Sequence, residues 1–238
     1  MKKILAIVLA ALMLLCVVSC GDKAEKKGEG VMTYDEYAAA AVDSKVTIET
    51  YVQAKQSWWD GKGTIYTQDK EGGYFLYNMA MTEEEFNKLV PGTKIKVTGT
   101  KAEWSGEVEI VDATFEIENG SYIAKPVDVT SLFGTDDLAK KQNMFVTVKG
   151  LTVAASEGGA AFLYKWDGSG QQGDDLYFNV ELNGKTYTFT VESYLCGANT
   201  DVYKAVEGLK VGDKIDLDGF LYWYEGAQPH VTAVRTAK

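Results

Sequence analysis

From residue 45 onward, apolar and polar side chains alternate with a period of two, in runs bounded by Gly, Asp, Asn and Lys. Val, Ile, Thr, Tyr and Phe in such alternation predict strands with one face buried. The runs fall at 45–57, 63–69, 73–81, 94–104 and 107–117, and again at about 144–155, 175–182, 185–196, 214–225 and 228–235. The period changes at "TEEEFNKLVPG", where Thr82 with Glu85 three residues on forms a capping box and Pro91-Gly92 closes a short helix over 83–89. A second helix is expected near 199–208, started by Asn199 or Thr200, and a third over "TYDEYAAAAV", where Thr33 and Glu36 make another capping box. Asn183-Gly184 predicts a tight hairpin turn.

These elements come in two matching sets. Gly92, Lys94, Ile95, Gly99 and Gly106 recur 120 residues later as Gly212, Lys214, Ile215, Gly219 and Gly226, and Trp104 is replaced by Tyr224. "VTIETYV" at 46–52 matches "VTVKGLT" at 146–152, so the second copy carries about 20 extra residues, most of them in "EGGAAFLYKWDGSGQQGDD" at 157–175. Each set reads three strands, a short helix, then two strands. That order resembles the OB-fold, a five-stranded Greek-key barrel, and the chain resembles tandem OB-fold domains of exported bacterial lipoproteins. The resemblance implies a mainly β protein with barrels over 33–118 (its leading helix included) and 142–238, joined by a connector at 119–141 with a short helix near 135–141.

The N-terminus changes the picture from fold to address. "MKKILAIVLAALMLLCVVSC" places Lys2 and Lys3 before an apolar run of 15 residues, too short to span a bilayer comfortably and typical of an export signal. Its end, Val17-Val18-Ser19-Cys20, resembles a lipobox, which implies a signal peptide over 1–19 and lipidation of Cys20. The expectation is a body outside the cytoplasm, lipid-anchored to the membrane, on a flexible polar tether at 20–32. Removing the signal leaves 22 Lys plus Arg against 34 Asp plus Glu, a net charge near −12 with one arginine, Arg235. Such a balance disfavours polyanions, so nucleic acid is not the expected partner. Cys16 leaves with the signal and Cys20 takes the lipid, so Cys196 has no partner for an intrachain disulfide.

What remains is binding chemistry. Rings stack on sugars or bases, and tyrosine tips donate hydrogen bonds. The candidates are Trp58 and Trp59 after the first strand, Tyr66 on the second and Trp104 at the first fourth-to-fifth hairpin. In the second copy they are Trp166 in the long loop, Tyr177 and Tyr187 on paired strands, and Trp223 and Tyr224. Each ring either meets a ligand or fills a barrel, and alternation puts Tyr222 and Tyr224 on one side of their strand and Trp223 on the other. Trp58, Trp59 and Trp166 are favoured because loop rings have no core to fill. Asp167, Asp174 and Asp175 match no calcium-loop spacing, so neither a metal nor a cofactor is expected. With one histidine, His230, and no nucleophile or phosphate-loop motif, the chain is read as a non-enzyme. The expectation is a surface module for a glycan, a peptide or an envelope protein, with an OB-fold nucleic-acid binder or a structural adaptor as alternatives.

Overall fold

The computed structural model describes residues 27–237. The export signal and Cys20 lie outside the described residues. Among those described, no helix is long and apolar enough to cross a membrane.

After α1 (Tyr34–Ala39), the first barrel is built from β1 (Lys45–Lys55), β2 (Lys62–Gln68), β3 (Gly73–Ala80), α2 (Glu83–Lys88), β4 (Thr93–Trp104) and β5 (Glu107–Ser121). Its strands close in the order β1-β2-β3-β5-β4, with β3 and β5 parallel and β1 returning to β4. Alternation does what the sequence pattern predicts: Val46, Ile48, Ile65, Leu76, Ile95, Val97 and Ile110 point inward and are fully buried. Both capping boxes form, at Thr33 with Glu36 and at Thr82 with Glu85.

A short strand, β6 (Val127–Asp128), leads into the second barrel: β7 (Phe145–Ala154), β8 (Leu163–Tyr164), β9 (Leu176–Leu182), β10 (Lys185–Val191), α3 (Asp201–Glu207), β11 (Lys214–Phe220) and β12 (His230–Thr236). The order β7-β9-β10-β12-β11 repeats that of the first barrel. Pairing of β7 with β9 and of β11 with β7 closes the ring, and β10 and β12 run parallel. Two OB-like barrels are present, as the repeat predicts.

The repeated glycines have a mechanical role. A Cβ on Gly99 would come 2.6 Å from Ile110 Cγ2, and one on Gly219 would come 2.5 Å from the His230 carbonyl oxygen. Both sit at shifts in register between the fourth and fifth strands, where the strand bends and no side chain fits. The repeat marks barrel geometry.

Two expectations need adjustment. Lys27 and Met32, expected within the tether, contact the first barrel: Lys27 forms a buried ion pair with Asp69 at 2.7 Å and Met32 N–H donates to Thr47 O. The second barrel's fourth strand stops at Phe220, and residues 221–229 form a turn-rich hairpin. Lys101 is buried on the barrel wall, and its ammonium donates to the carbonyls of Tyr37, Ala38 and Ala40, capping α1 at its C-terminal end.

The barrels share an interface. The outward side of β2 and β3 presents Tyr66 and Phe75, which bury with Phe220 of the second barrel. Tyr66 stacks on Phe220 at 4.6 Å between ring centroids and Phe75 meets Tyr222 edge-on at 5.4 Å. Polar contacts fix the register: Gln68 Oε1 accepts from Phe145 N–H at 2.6 Å, and Asn143 Nδ2 donates to Val108 O at 2.8 Å.

Candidate ligand-binding site

The second barrel keeps the equivalent face open. Tyr177 and Asn179 on β9 and Thr188 on β10 point outward, because Phe178, Val180 and Phe189 between them point into the core. They form the floor of a cleft of about 720 Å³. One wall is the loop between β7 and β9, with Ser156, Glu157, Leu163 and Trp166. The opposite wall is the 221–229 hairpin, with Tyr222, Tyr224 and Gln228, and His230 also lines the cleft. The first barrel supplies Trp104, whose ring lies 5.3 Å from that of Tyr224. The repeat therefore brings its own equivalent positions, Trp104 and Tyr224, together at one rim.

The long loop is held although it is rich in glycine. Tyr164 OH donates to Glu207 Oε1 at 2.7 Å, Gln172 Nε2 donates to the same oxygen at 3.1 Å, and Gly173 N–H donates to Tyr203 OH at 2.8 Å. These bonds tie the loop to α3 and leave Trp166 75% exposed beside the cleft. On the floor, Thr188 Oγ1 donates to Asn179 Oδ1 at 2.8 Å. None of the twelve lining residues is Lys or Arg, and Glu157 is the one carboxylate among them.

Buried titratable groups surround the closed end. The His230 ring is buried, stacks on Tyr222 at 4.1 Å and hydrogen-bonds through Nδ1 to Tyr66 OH at 2.6 Å. Burial pushes its pKa down to about 3, so the imidazole is neutral. Burial, then the neighbouring Asp175 carboxylate, push Glu192 up to about 7. Tyr177 is raised to about 12, by burial and then by Asp175 and Glu192.

Of the candidate rings, Trp104, Trp166, Tyr177 and Tyr224 converge on this cleft, and five do not. Trp58 is partly buried against the first core, with its Nε1–H donating to Met81 O at 3.1 Å, so this loop ring does have a core to fill. Trp59 is 73% exposed but lies away from the cleft. Tyr66 is sealed between the barrels. Tyr187 points to the other side of β10 from Thr188 and packs edge-on against Phe133 of the connector at 5.0 Å. Trp223 faces away from Tyr222 and Tyr224, as alternation predicts, and lies against Gly106, where an added Cβ would come 2.8 Å from its Cδ1.

Asp167, Asp174 and Asp175 each accept a backbone N–H of their own surroundings, from Ser169, Gln171 and Ser193. Among the described residues no group of three or more His, Cys, Asp or Glu is arranged to hold a metal ion. Cys196 is buried, and burial raises its thiol to about 11.

Sequence reasoning missed Asn179, Thr188 and Gln228. The first two had a signal, since Asn179 shares the Tyr177 side of its strand two residues on, and Thr188 pairs with it across the hairpin.

No protein-family model matches the chain, and no curated protein matches it. Among solved structures, it is similar to a murine DNA-binding protein bound with double-stranded DNA, at 12% identity and a TM-score of 0.36, covering 81% of this chain and 96% of that one. An Ifi202 HINa domain in complex with 20-bp double-stranded DNA is similar at 11% identity and a TM-score of 0.35, covering 82% and 100%. A replication protein A heterotrimer bound to single-stranded DNA is similar at 11% and 0.34, covering 84% of this chain and 51% of that one.

Proposed function

We propose that this chain is a lipid-anchored, non-catalytic binding protein of the bacterial envelope, and that its second barrel takes a neutral glycan in the cleft. The observation that carries the ligand class is the lining: Trp104, Trp166, Tyr177, Tyr222 and Tyr224 supply ring faces, Ser156, Asn179, Thr188 and Gln228 supply neutral hydrogen-bonding groups, and no lysine or arginine takes part. Pyranose rings present apolar C–H faces and equatorial hydroxyls, which suit aromatic platforms flanked by amides and hydroxyls. A polyanion would bring one charge per residue into a cleft with no cation to meet it. The anchor rests on the lipobox at Cys20 and on the tether that follows it.

A nucleic acid is the alternative, and it is the ligand named for several of the similar structures. Likeness at those TM-scores concerns fold outline and brings no ligand with it. The deciding experiment is titration of residues 27–238 with uncharged hexasaccharides and with a single-stranded oligonucleotide, at 50 and 200 mM salt. The expected result is saturable, salt-independent glycan binding that Trp166→Ala and Tyr224→Ala each weaken about tenfold or more. Binding of the oligonucleotide alone, falling steeply with salt, would replace this reading with the alternative.

A further inference from the structure

The cleft wall that carries Tyr222, Tyr224 and Gln228 is a short hairpin with few bonds of its own: Tyr224 N–H donates to Gly226 O at 2.9 Å, and Gln228 N–H to Tyr222 O at 2.9 Å. Its ends are held by the second barrel, with Leu221 N–H donating to Met144 O at 3.0 Å, Tyr222 N–H to Phe220 O at 2.8 Å and Thr190 N–H to Pro229 O at 3.2 Å, while its tip reaches across to the first barrel. Trp223 N–H donates to Glu107 Oε2 at 2.8 Å, and Glu225 N–H donates to Ser105 O at 2.8 Å. Gln142 of the connector braces the same spot, donating through Nε2 to Gly106 O at 2.8 Å and to Glu107 Oε2 at 3.3 Å. Glu107 is fully buried, and its second oxygen, Oε1, is buried without a hydrogen-bond partner.

A carboxyl group is an unexpected choice for such a place. The barrel wall needs only an acceptor for the Trp223 N–H, and a buried carboxylate without a cation costs several kcal/mol. Among the described residues, the titratable groups that interact with Glu107 are Glu109 on β5, Tyr37 on α1, Tyr66 on β2 and Tyr222 in the hairpin, none of them positively charged. The repeat adds a second observation: the fourth-to-fifth turns of both barrels, Ser105-Gly106 and Glu225-Gly226, carry positive φ at both residues. Two copies of one turn are thus clasped to each other, with Glu107 immediately behind the first.

We propose that Glu107 of the first barrel is the positioning residue that holds the Tyr222–Gln228 hairpin of the second barrel as a cleft wall, and that it does so as a neutral acid. This rests on the cleft being the ligand site, but the hairpin's position is measurable without a ligand. Burial pushes Glu107 up to about 9, with Glu109 adding to the rise and the N–H groups around Oε2 opposing it. For a carboxyl group raised in the folded state, the favourable protonated form is complete below the unfolded pKa and is lost as pH rises through the folded one. Ionisation above about pH 9 places an unpaired charge at the clasp and releases it.

Backbone hydrogen exchange of the full-length chain, read by mass spectrometry on peptides covering 221–228 and corrected for intrinsic rates, tests this. Glu107→Ala is expected to raise exchange in that segment tenfold or more, with the β9–β10 amides unchanged. Glu107→Gln, which keeps a neutral acceptor, is expected to match wild type at pH 7. Between pH 7 and pH 10 the wild-type hairpin opens and that of Glu107→Gln stays closed. Unchanged exchange in Glu107→Ala, or the same pH profile for wild type and Glu107→Gln, would overturn the proposal. If Glu107→Ala loses protection everywhere, the comparison of wild type with Glu107→Gln decides. Failure here leaves the glycan titration standing, and failure of that titration leaves the clasp standing.

Discussion

The outward side of β2 and β3 in the first barrel and that of β9 and β10 in the second are equivalent surfaces of equivalent folds. In the first barrel this surface carries Tyr66 and Phe75, large apolar rings side by side across the strand pair, and the second barrel covers them with Phe220 and Tyr222. In the second it carries Tyr177, Asn179 and Thr188, a mixture of one ring and two small polar groups, and it stays open as a cleft floor. The difference teaches how a duplicated fold divides labour. A face dominated by large rings gains more by excluding water permanently, whereas a face mixing one ring with small hydrogen-bonding groups tolerates water until a partner replaces it.

The comparison breaks most sharply at Phe220. Phe220→Ala removes the ring stacked on Tyr66 and should cost about 3–5 kcal/mol, visible in urea denaturation as a lowered midpoint or as separate transitions for the two barrels. A single unshifted transition would mean that the closed face contributes little.

The hinge between the two faces is His230, which lines the cleft and bonds Tyr66. Its pKa is depressed to about 3 in the folded state, so its contribution to stability is present above the unfolded value near 6.5 and is lost as pH falls toward 3. At pH 5 the loss is about 2 kcal/mol. The slope of stability against pH between 6.5 and 4 should flatten in His230→Gln, and an unaltered slope would place the acid sensitivity elsewhere.

On the open face the expectation reverses. Trp166→Ala and Tyr224→Ala remove exposed rings and should change stability by about 0.5 kcal/mol or less, while lowering affinity for the bound glycan by about 1–3 kcal/mol per ring. Calorimetry and denaturation on the same preparations separate the two effects. A ring whose loss unfolds the protein belongs to the closed class instead.

The smallest effect serves as a control. Thr82→Ala removes the N-cap of α2, at the opposite end of the β3 strand from the Gly73 turn, and should cost about 1 kcal/mol with glycan affinity unchanged. A change in affinity would mean that strain in the first core reaches the cleft.

Much of the fold was legible because its signals are local. Alternation located the ten barrel strands, although the third and fourth strands of the second barrel end at Val191 and Phe220, about five residues before the ends expected at 196 and 225. The capping boxes at Thr33 and Thr82 started their helices, and the glycine spacing revealed the duplication. The site was legible only in part. Trp104, Trp166, Tyr177 and Tyr224 meet in the cleft, yet Trp58 looked equally free and is packed, because a tryptophan after a strand end can fold back onto its own barrel. Glu107 gave no sign at all. It is one acid in an alternating strand, and its burial depends on a hairpin 116 residues away.

By itself the sequence determined the two barrels, their strand order and the side of each strand on which a residue falls, since these follow from periodicity, turn chemistry and caps within a few residues. It also determined the acidic balance. Only the tertiary structure decided which outward faces are outside. Tyr66 and Tyr177 both point away from their barrels, and what separates a buried stack from a cleft floor is whether a second barrel lies over it. Periodicity reports direction relative to one strand, whereas exposure depends on everything the fold brings near.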